Sequence, residues 1–311
     1  MKRIFLFIVT NLAVMLTLSI TAHLLGLNQF ITKNGINFTT LLGFAAIFGF
    51  GGAIISLMLS KTIAKFTMGL KPIQGNENSQ YAWIYSTIER QSHQAGISMP
   101  EVCIYDSPEM NAFATGPSKS NSLVAVSTGL LNGMRKNEVE AVLGHEVAHI
   151  ANGDMVTMTL IQGVLNTFVI FISRIIGYFA DQFFKGDEEE SSSPSWIYMA
   201  VSIVLEIMFG ILASIVVAAH SRRREFVADE GGAKLASKEG MIGALQTLSR
   251  QGDVELAGGL KAFGISGKQS KFFALFSTHP PFVINTKSFS VKSMLDSSPS
   301  FVIIILLATF L

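Results

Sequence analysis

His145, Glu146 and His149, in the run His-Glu-Val-Ala-His, are the residues of this chain best spaced to do chemistry. On a helix, residues four apart lie one turn above the other on the same face. Two imidazoles so placed can grip one Zn²⁺ at about 2.0–2.1 Å. The glutamate between them projects beside such an ion, where its carboxylate can take a proton from water. The same pentapeptide can also be a helix with two surface histidines, so its surroundings decide.

A hydrolytic zinc site usually has three protein ligands and keeps one position open. Downstream, Arg-Glu-Phe-Val-Ala-Asp places Glu225 and Asp229 four apart, again on one helical face. Glu225 could complete a His-His-Glu set. Asp229 would then be placed to accept the free N–H of a ligand histidine and fix its tautomer. The competing reading is a solvated acidic helix face. Its position counts against that reading. The acids follow one apolar stretch and the pentapeptide precedes another, so both can meet at one membrane surface.

The chain is 49% hydrophobic and 14% charged, with a mean hydropathy of +0.45, which is the composition of a membrane protein. A net charge of +1 leaves no footprint for nucleic acid. The single cysteine, Cys103, excludes an internal disulfide and a multi-cysteine zinc site. It sits in the strand-like run Glu-Val-Cys-Ile-Tyr and reads as a buried small residue.

Four stretches are long and apolar enough to cross a bilayer: about Ile4–Leu27, Phe38–Ser60, Met155–Ala180 and Trp196–Ala219. Lys2 and Arg3, then Lys61, Lys65 and Lys71, then Arg222, Arg223 and Arg224 all fall on one side if every stretch crosses. That side is cytoplasmic by the positive-inside rule. The chain then divides into a transmembrane hairpin (1–60), a cytoplasmic segment with the zinc-binding helix (61–154), a second hairpin (155–219), a cytoplasmic segment completing the site (220–281) and an atypical tail (282–311). The expected fold class is mainly α and integral membrane: four transmembrane helices with a cytoplasmic α+β, zincin-like domain. Within the spans, either Glu206 and Arg174 pair, the structural reading, or Glu206 serves substrate passage, and His23 reads as interfacial.

In the cytoplasmic part, 77–96 has helical periodicity and Val102–Tyr105 reads as a strand. Asn111–Gly116 and Ser122–Thr128 read as two strands around a polar turn, Pro117 to Asn121. Lys136–Gly153 is the metal helix, with Val139, Val142, Leu143 and Val147 on its buried face. Asn111, Ala112, Phe113 and Ala114 then form an edge strand able to hold a peptide extended through backbone hydrogen bonds. His279, in His-Pro-Pro, is either a catalytic accessory or a turn residue. No Gly-x-Ser-x-Gly elbow is present, so serine-hydrolase chemistry has no foothold.

Together, Asn111-Ala-Phe-Ala-Thr-Gly, Val124-Ala-Val-Ser-Thr-Gly-Leu-Leu, the run from His145 through Ile-Ala-Asn-Gly-Asp-Met-Val-Thr, Arg224-Glu-Phe-Val-Ala-Asp and His279-Pro-Pro resemble the HtpX family of membrane zinc proteases, relatives of the CAAX prenyl proteases. The resemblance covers about residues 1–281. It implies a bacterial inner-membrane endopeptidase with a cytoplasmic active site and one Zn²⁺ per chain. It implies a stress role, removing misfolded or damaged membrane proteins in parallel with an ATP-dependent membrane protease, and a habit of self-cleavage. By the same match, His145, His149 and Glu225 are the ligands and Glu146 the general base. After Pro281 the chain departs from the family pattern, in the way a reading-frame change would produce. Two other classes compete. A catalytically silent membrane adaptor with a structural zinc site would want four ligands, often cysteines. A zinc transporter would want several ligating residues inside the spans.

Overall fold

The computed structural model describes residues 16–27, 29–32, 35–74, 81–185 and 195–248. The expectations for His279, for the serine-rich 186–194 loop, for the 282–311 tail and for most of the first span lie outside these residues; of that span, 16–24 is helical (α1).

Three described helices are long and apolar enough to cross a membrane: α2 (Phe38–Met68), α6 (Asp154–Lys185) and α7 (Trp196–Leu235). Numbering in chain order, the short helices are α3 (Ala82–Gln94), α4 (Thr128–Gly133), α5 (Lys136–Asn152) and α8 (238–248). Asn37 caps α2 by accepting from the Thr40 N–H at 3.1 Å, and Ser195 caps α7 through the Ile197 N–H at 3.1 Å. Each long helix outruns the span read from hydropathy. The fourth does not stop at Ala219 but continues through Glu225 and Asp229 to Leu235. The cationic run at Arg222–Arg224 changes the solvent around the helix without breaking its backbone. Small residues let the long helices approach: a Cβ on Gly49 would run into Thr167, and one on Gly177 into Ser202. Arg174 Nη2 and Glu206 Oε1 pair at 3.0 Å, bridging α6 and α7, the first of the two readings. A two-residue hairpin, β1 (Ile31–Thr32) with β2 (Gly35–Ile36), precedes α2, and Phe30 packs nearby with Leu41 and Tyr198.

Outside the helical bundle lies a four-stranded sheet: β3 (Lys71–Pro72), β4 (Glu101–Tyr105), β5 (Ala112–Ser118) and β6 (Asn121–Ser127), in the order β3-β4-β6-β5. β4 and β6 run parallel and the other pairs antiparallel. Strand alternation sorts the side chains. Val102, Ile104, Val124 and Val126 meet Ile84 and Ile88 of α3 and Val139, Leu143, Val147 and Ile150 of α5. The opposite face buries Cys103, Tyr105, Leu123 and Ala125 beneath Met68 and Leu70. Burial, together with the Glu101 charge, pushes the Cys103 thiol up to about 11, so it stays neutral. Val142 is only partly buried, unlike its three expected companions. The turn after β5 is shorter than the sequence suggests. Pro117 belongs to the strand, which an edge position allows, and the register shifts between Thr115 and Ser118. Lys65 Nζ at 2.7 Å and Lys61 Nζ at 3.5 Å from the Glu101 carboxylate dock the end of α2 on β4.

α5 and α7 cross with almost no side chain between them. A Cβ on Gly232 would lie 2.8 Å from the His145 nitrogen and 2.9 Å from the Ala141 oxygen. One on Gly144 would lie 3.1 Å from the Gly232 oxygen. In an ordinary exposed helix Gly→Ala stabilises by up to about 1 kcal/mol. Gly232→Ala is predicted to reverse that sign, lowering the melting temperature and loosening metal binding. Differential scanning fluorimetry with and without zinc checks both.

Candidate metal centre

α5 is started by a capping arrangement in which the Arg135 N–H donates to Glu138 Oε2 at 2.9 Å. It is ended by Gly153 at φ +73°, a left-handed position that a side chain would strain. That turn brings the first residue of α6 back under the helix it follows. Asp154 Oδ2 lies 2.7 Å from His149 Nδ1. On the other histidine, Asp229 Oδ1 lies 2.8 Å from His145 Nδ1, as read from the sequence. A carboxylate on each Nδ1 keeps the proton there and turns each Nε2 lone pair inward.

The two Nε2 atoms are 3.0 Å apart, and the Glu225 oxygens lie 3.5 Å and 3.6 Å from them. A tetrahedral zinc site with bonds of about 2.0 Å has ligand–ligand edges of about 3.3 Å. The three donors therefore fit one divalent ion, and they form a metal-competent group among the described residues. The field agrees with the geometry. Burial alone would pull His145 down, but hydrogen bonds to Asp229 and Glu225 and the charge of Glu146 hold it up at about 10. A pocket that keeps a proton that firmly attracts a dication for the same reason.

Glu146 is buried on the neighbouring face of α5 and makes no hydrogen bond or ion pair with another described residue. Its carboxylate stands free beside the donor set. β5 is the outer strand of the sheet, with Ala112, Phe113 and Ala114 opposite Val126, Ala125 and Val124 on its paired side. Asn111 stands just before it, tied to Ser127 by its N–H to Oγ at 3.0 Å and by its carbonyl accepting from the Ser127 N–H at 2.9 Å.

Two residues at the site escape sequence reasoning. Asp154 lies beyond an Asn-Gly pair that signals the end of a helix, so periodicity does not put it on the histidine face. Arg224, whose Nη2 is 2.5 Å from Asp154 Oδ1, reads as a positive-inside residue. It instead completes a chain Arg224–Asp154–His149.

Three donors with a free carboxylate beside them have the make-up of a metallopeptidase centre. The model of peptidase family M48 matches residues 78–284, the stretch that holds both halves of the centre. A protease HtpX homolog of Paracidovorax citrulli is 57% identical over 282 residues, covering 90% of this chain and 96% of that protein. One from Acidovorax ebreus is 56% identical, covering 90% and 95%. The crystal structure of S. mikatae Ste24p superposes with a TM-score of 0.55 at 17% identity, over 88% of this chain. The likeness spans only 63% of the Ste24p chain and is one of fold. This chain belongs to peptidase family M48, with the HtpX proteases, and is a membrane metalloprotease.

Metal entry must displace the proton that His145 holds below about pH 10. Apparent zinc affinity is therefore predicted to rise with pH, about tenfold per unit for each proton released. Calorimetry in buffers of different ionisation enthalpy reads that proton release directly. Asp154→Asn should weaken metal binding by about 10- to 100-fold, since the amide can present its N–H to Nδ1 and favour the wrong tautomer.

Proposed function

We propose that this chain is a zinc-dependent endopeptidase of the bacterial inner membrane that cleaves misfolded or damaged membrane proteins on the cytoplasmic side. One observation carries the reading: two imidazole nitrogens and one carboxylate converge at 3.0–3.6 Å with Glu146 free beside them. His145, His149 and Glu225 hold the ion, and Asp229 and Asp154 hold the imidazoles.

When bound, zinc supplies Lewis acidity to the scissile carbonyl and to water. Glu146 takes a proton from the attacking water as its oxygen bonds to the carbonyl carbon, and returns it to the leaving nitrogen as the C–N bond breaks. The free edge of β5, from Asn111 to Ala114, receives the substrate as an added strand, recognising backbone rather than sequence. His279, which lies outside the described residues, is a turn residue or an accessory at the oxyanion. Substrates come from the bilayer, because α5 leads through Gly153 directly into the apolar α6. The stress-linked role, self-cleavage and work in parallel with an ATP-dependent membrane protease follow from kinship with the HtpX proteases. The domain plan is the one read from charge: hairpins at 1–60 and 155–219 in the membrane, 61–154 and 220–281 in the cytoplasm.

A silent adaptor with a structural zinc is disfavoured. Among the described residues the donor set has three members, and Cys103 is sealed in the sheet. A transporter is disfavoured too, because Glu206 is committed to Arg174 rather than to a second ligand.

Glu146→Gln should retain zinc and lose at least about 10²-fold in turnover of an unfolded protein. Glu225→Ala should lose the zinc itself. Equal zinc loss in both variants contradicts these roles. For orientation, a cysteine placed in the Glu188–Ser193 loop should react with an impermeant maleimide on intact spheroplasts, and one placed at Ser118 only after lysis. The reverse pattern contradicts a cytoplasmic site.

A further inference from the structure

Between α2, α6 and α7 lies a cavity of about 430 Å³ within the apolar part of the bundle, and its largely apolar lining is interrupted by four polar side chains. Gln162 and Asn166 enter it from α6, and Glu206 and Ser214 from α7, opposite Phe48 of α2. Polar side chains at bilayer depth are costly and mark sites that use them. Their internal bonds are few. Gln162 Nε2 donates to Asn166 Oδ1 at 2.8 Å, Ser214 Oγ donates to the Ile211 carbonyl at 2.7 Å, and Glu206 meets Arg174 at 3.0 Å. Two carboxamides carry four N–H donors and two carbonyls, so the Gln162–Asn166 bond leaves most of that capacity over. A Cβ on Gly210, also in the lining, would meet nothing within 4 Å, so the wall there stands open.

We propose that this cleft binds an unwound stretch of a substrate's transmembrane segment, by hydrogen bonds between its exposed peptide groups and the Gln162 and Asn166 carboxamides, with Ser214 Oγ as a further acceptor. A folded transmembrane helix satisfies every backbone group internally and has nothing to offer such a cleft. An interrupted helix has N–H and C=O groups that neither lipid nor its own turns can satisfy. The cleft thereby selects misfolded over folded segments. This deepens the proteolytic reading above and rests on it.

Position makes the inference quantitative. Ser214 precedes Glu225, and Asn166 follows Asp154, by about 17 Å along their helices at 1.5 Å per residue. An extended chain covers that in about five residues. A segment held in the cleft is therefore cut about five residues to the cytoplasmic side of its interruption.

The test uses the full-length, zinc-loaded protein in nanodiscs. One single-pass substrate has an unbroken apolar helix, and its partner carries an Asn-Pro interruption placed at successive positions. The interrupted substrate should be cleaved about tenfold more efficiently, and the cut should move in step with the interruption. Gln162→Leu with Asn166→Leu should erase that preference through KM, leaving kcat and the cleavage of a soluble unfolded peptide unchanged. A cut that stays fixed, a preference that survives, or an equal loss on both substrates overturns the proposal. Binding is read without turnover by a photoreactive residue at the interruption, offered to Glu146→Gln. Crosslinks to 162–170 or 206–218 support the cleft, and crosslinks confined to other residues overturn it. Failure of the wild-type protein to cleave even the soluble peptide would instead tell against the proteolytic reading.

Discussion

The backbones of α5 and α7 all but touch, and the metal centre depends on that approach. The histidines belong to α5, and Glu225 and Asp229 to α7, 84 residues separating His145 from its Asp229 partner. Carboxylates reach imidazoles only if the helix axes come much closer than the usual 8–10 Å range allows for large side chains. Gly144, Gly231 and Gly232 supply the room: a Cβ on Gly231 would also press on Ala148. Helix propensity is given up at adjacent glycines near the end of a long helix. The gain is a rigid junction with the two imidazole donors on one side and the carboxylate donor on the other.

Electrostatics closes what geometry opens. Glu225, Asp229, Asp154 and Glu146 surround two imidazoles, and Arg224 pairs with this group through Asp154. The excess of negative charge raises His145 and would be poorly tolerated at the end of an apolar bundle without a cation to answer it. Arg224 and Asp154 carry a second consequence. They tie the start of α6 to α7 at the level of His149, so the packing of the two long helices and the aim of that imidazole are one problem. The cleft between the same two helices extends that logic into the apolar region.

Much of the centre was legible in the sequence because helical spacing is a strong signal. His145 with His149 and Glu225 with Asp229 are both four apart, and each pair falls on one face as expected. The edge position of β5 followed from its turn and its companion run, although the strand begins at Ala112 and not at Asn111. Asp154 and Arg224 were not legible, because the turn at Gly153 folds the chain back in a way that no periodicity records. The length of α7 was missed for a different reason. Hydropathy reports where the lipid ends, not where the helix ends, and nothing between Ala219 and Leu235 stops a helix. Pro117 suggested a turn but sits in an edge strand, where its missing N–H costs no ladder bond.

The claim on which the account rests is that this crossing builds one metal site from two imidazoles and one carboxylate. Zinc K-edge X-ray absorption of the loaded, full-length protein tests it most directly. The account predicts a four-coordinate shell of nitrogen and oxygen at about 2.0 Å, with the outer-shell scattering of two imidazoles. A sulfur at about 2.3 Å, or a shell carrying a third imidazole, would contradict it.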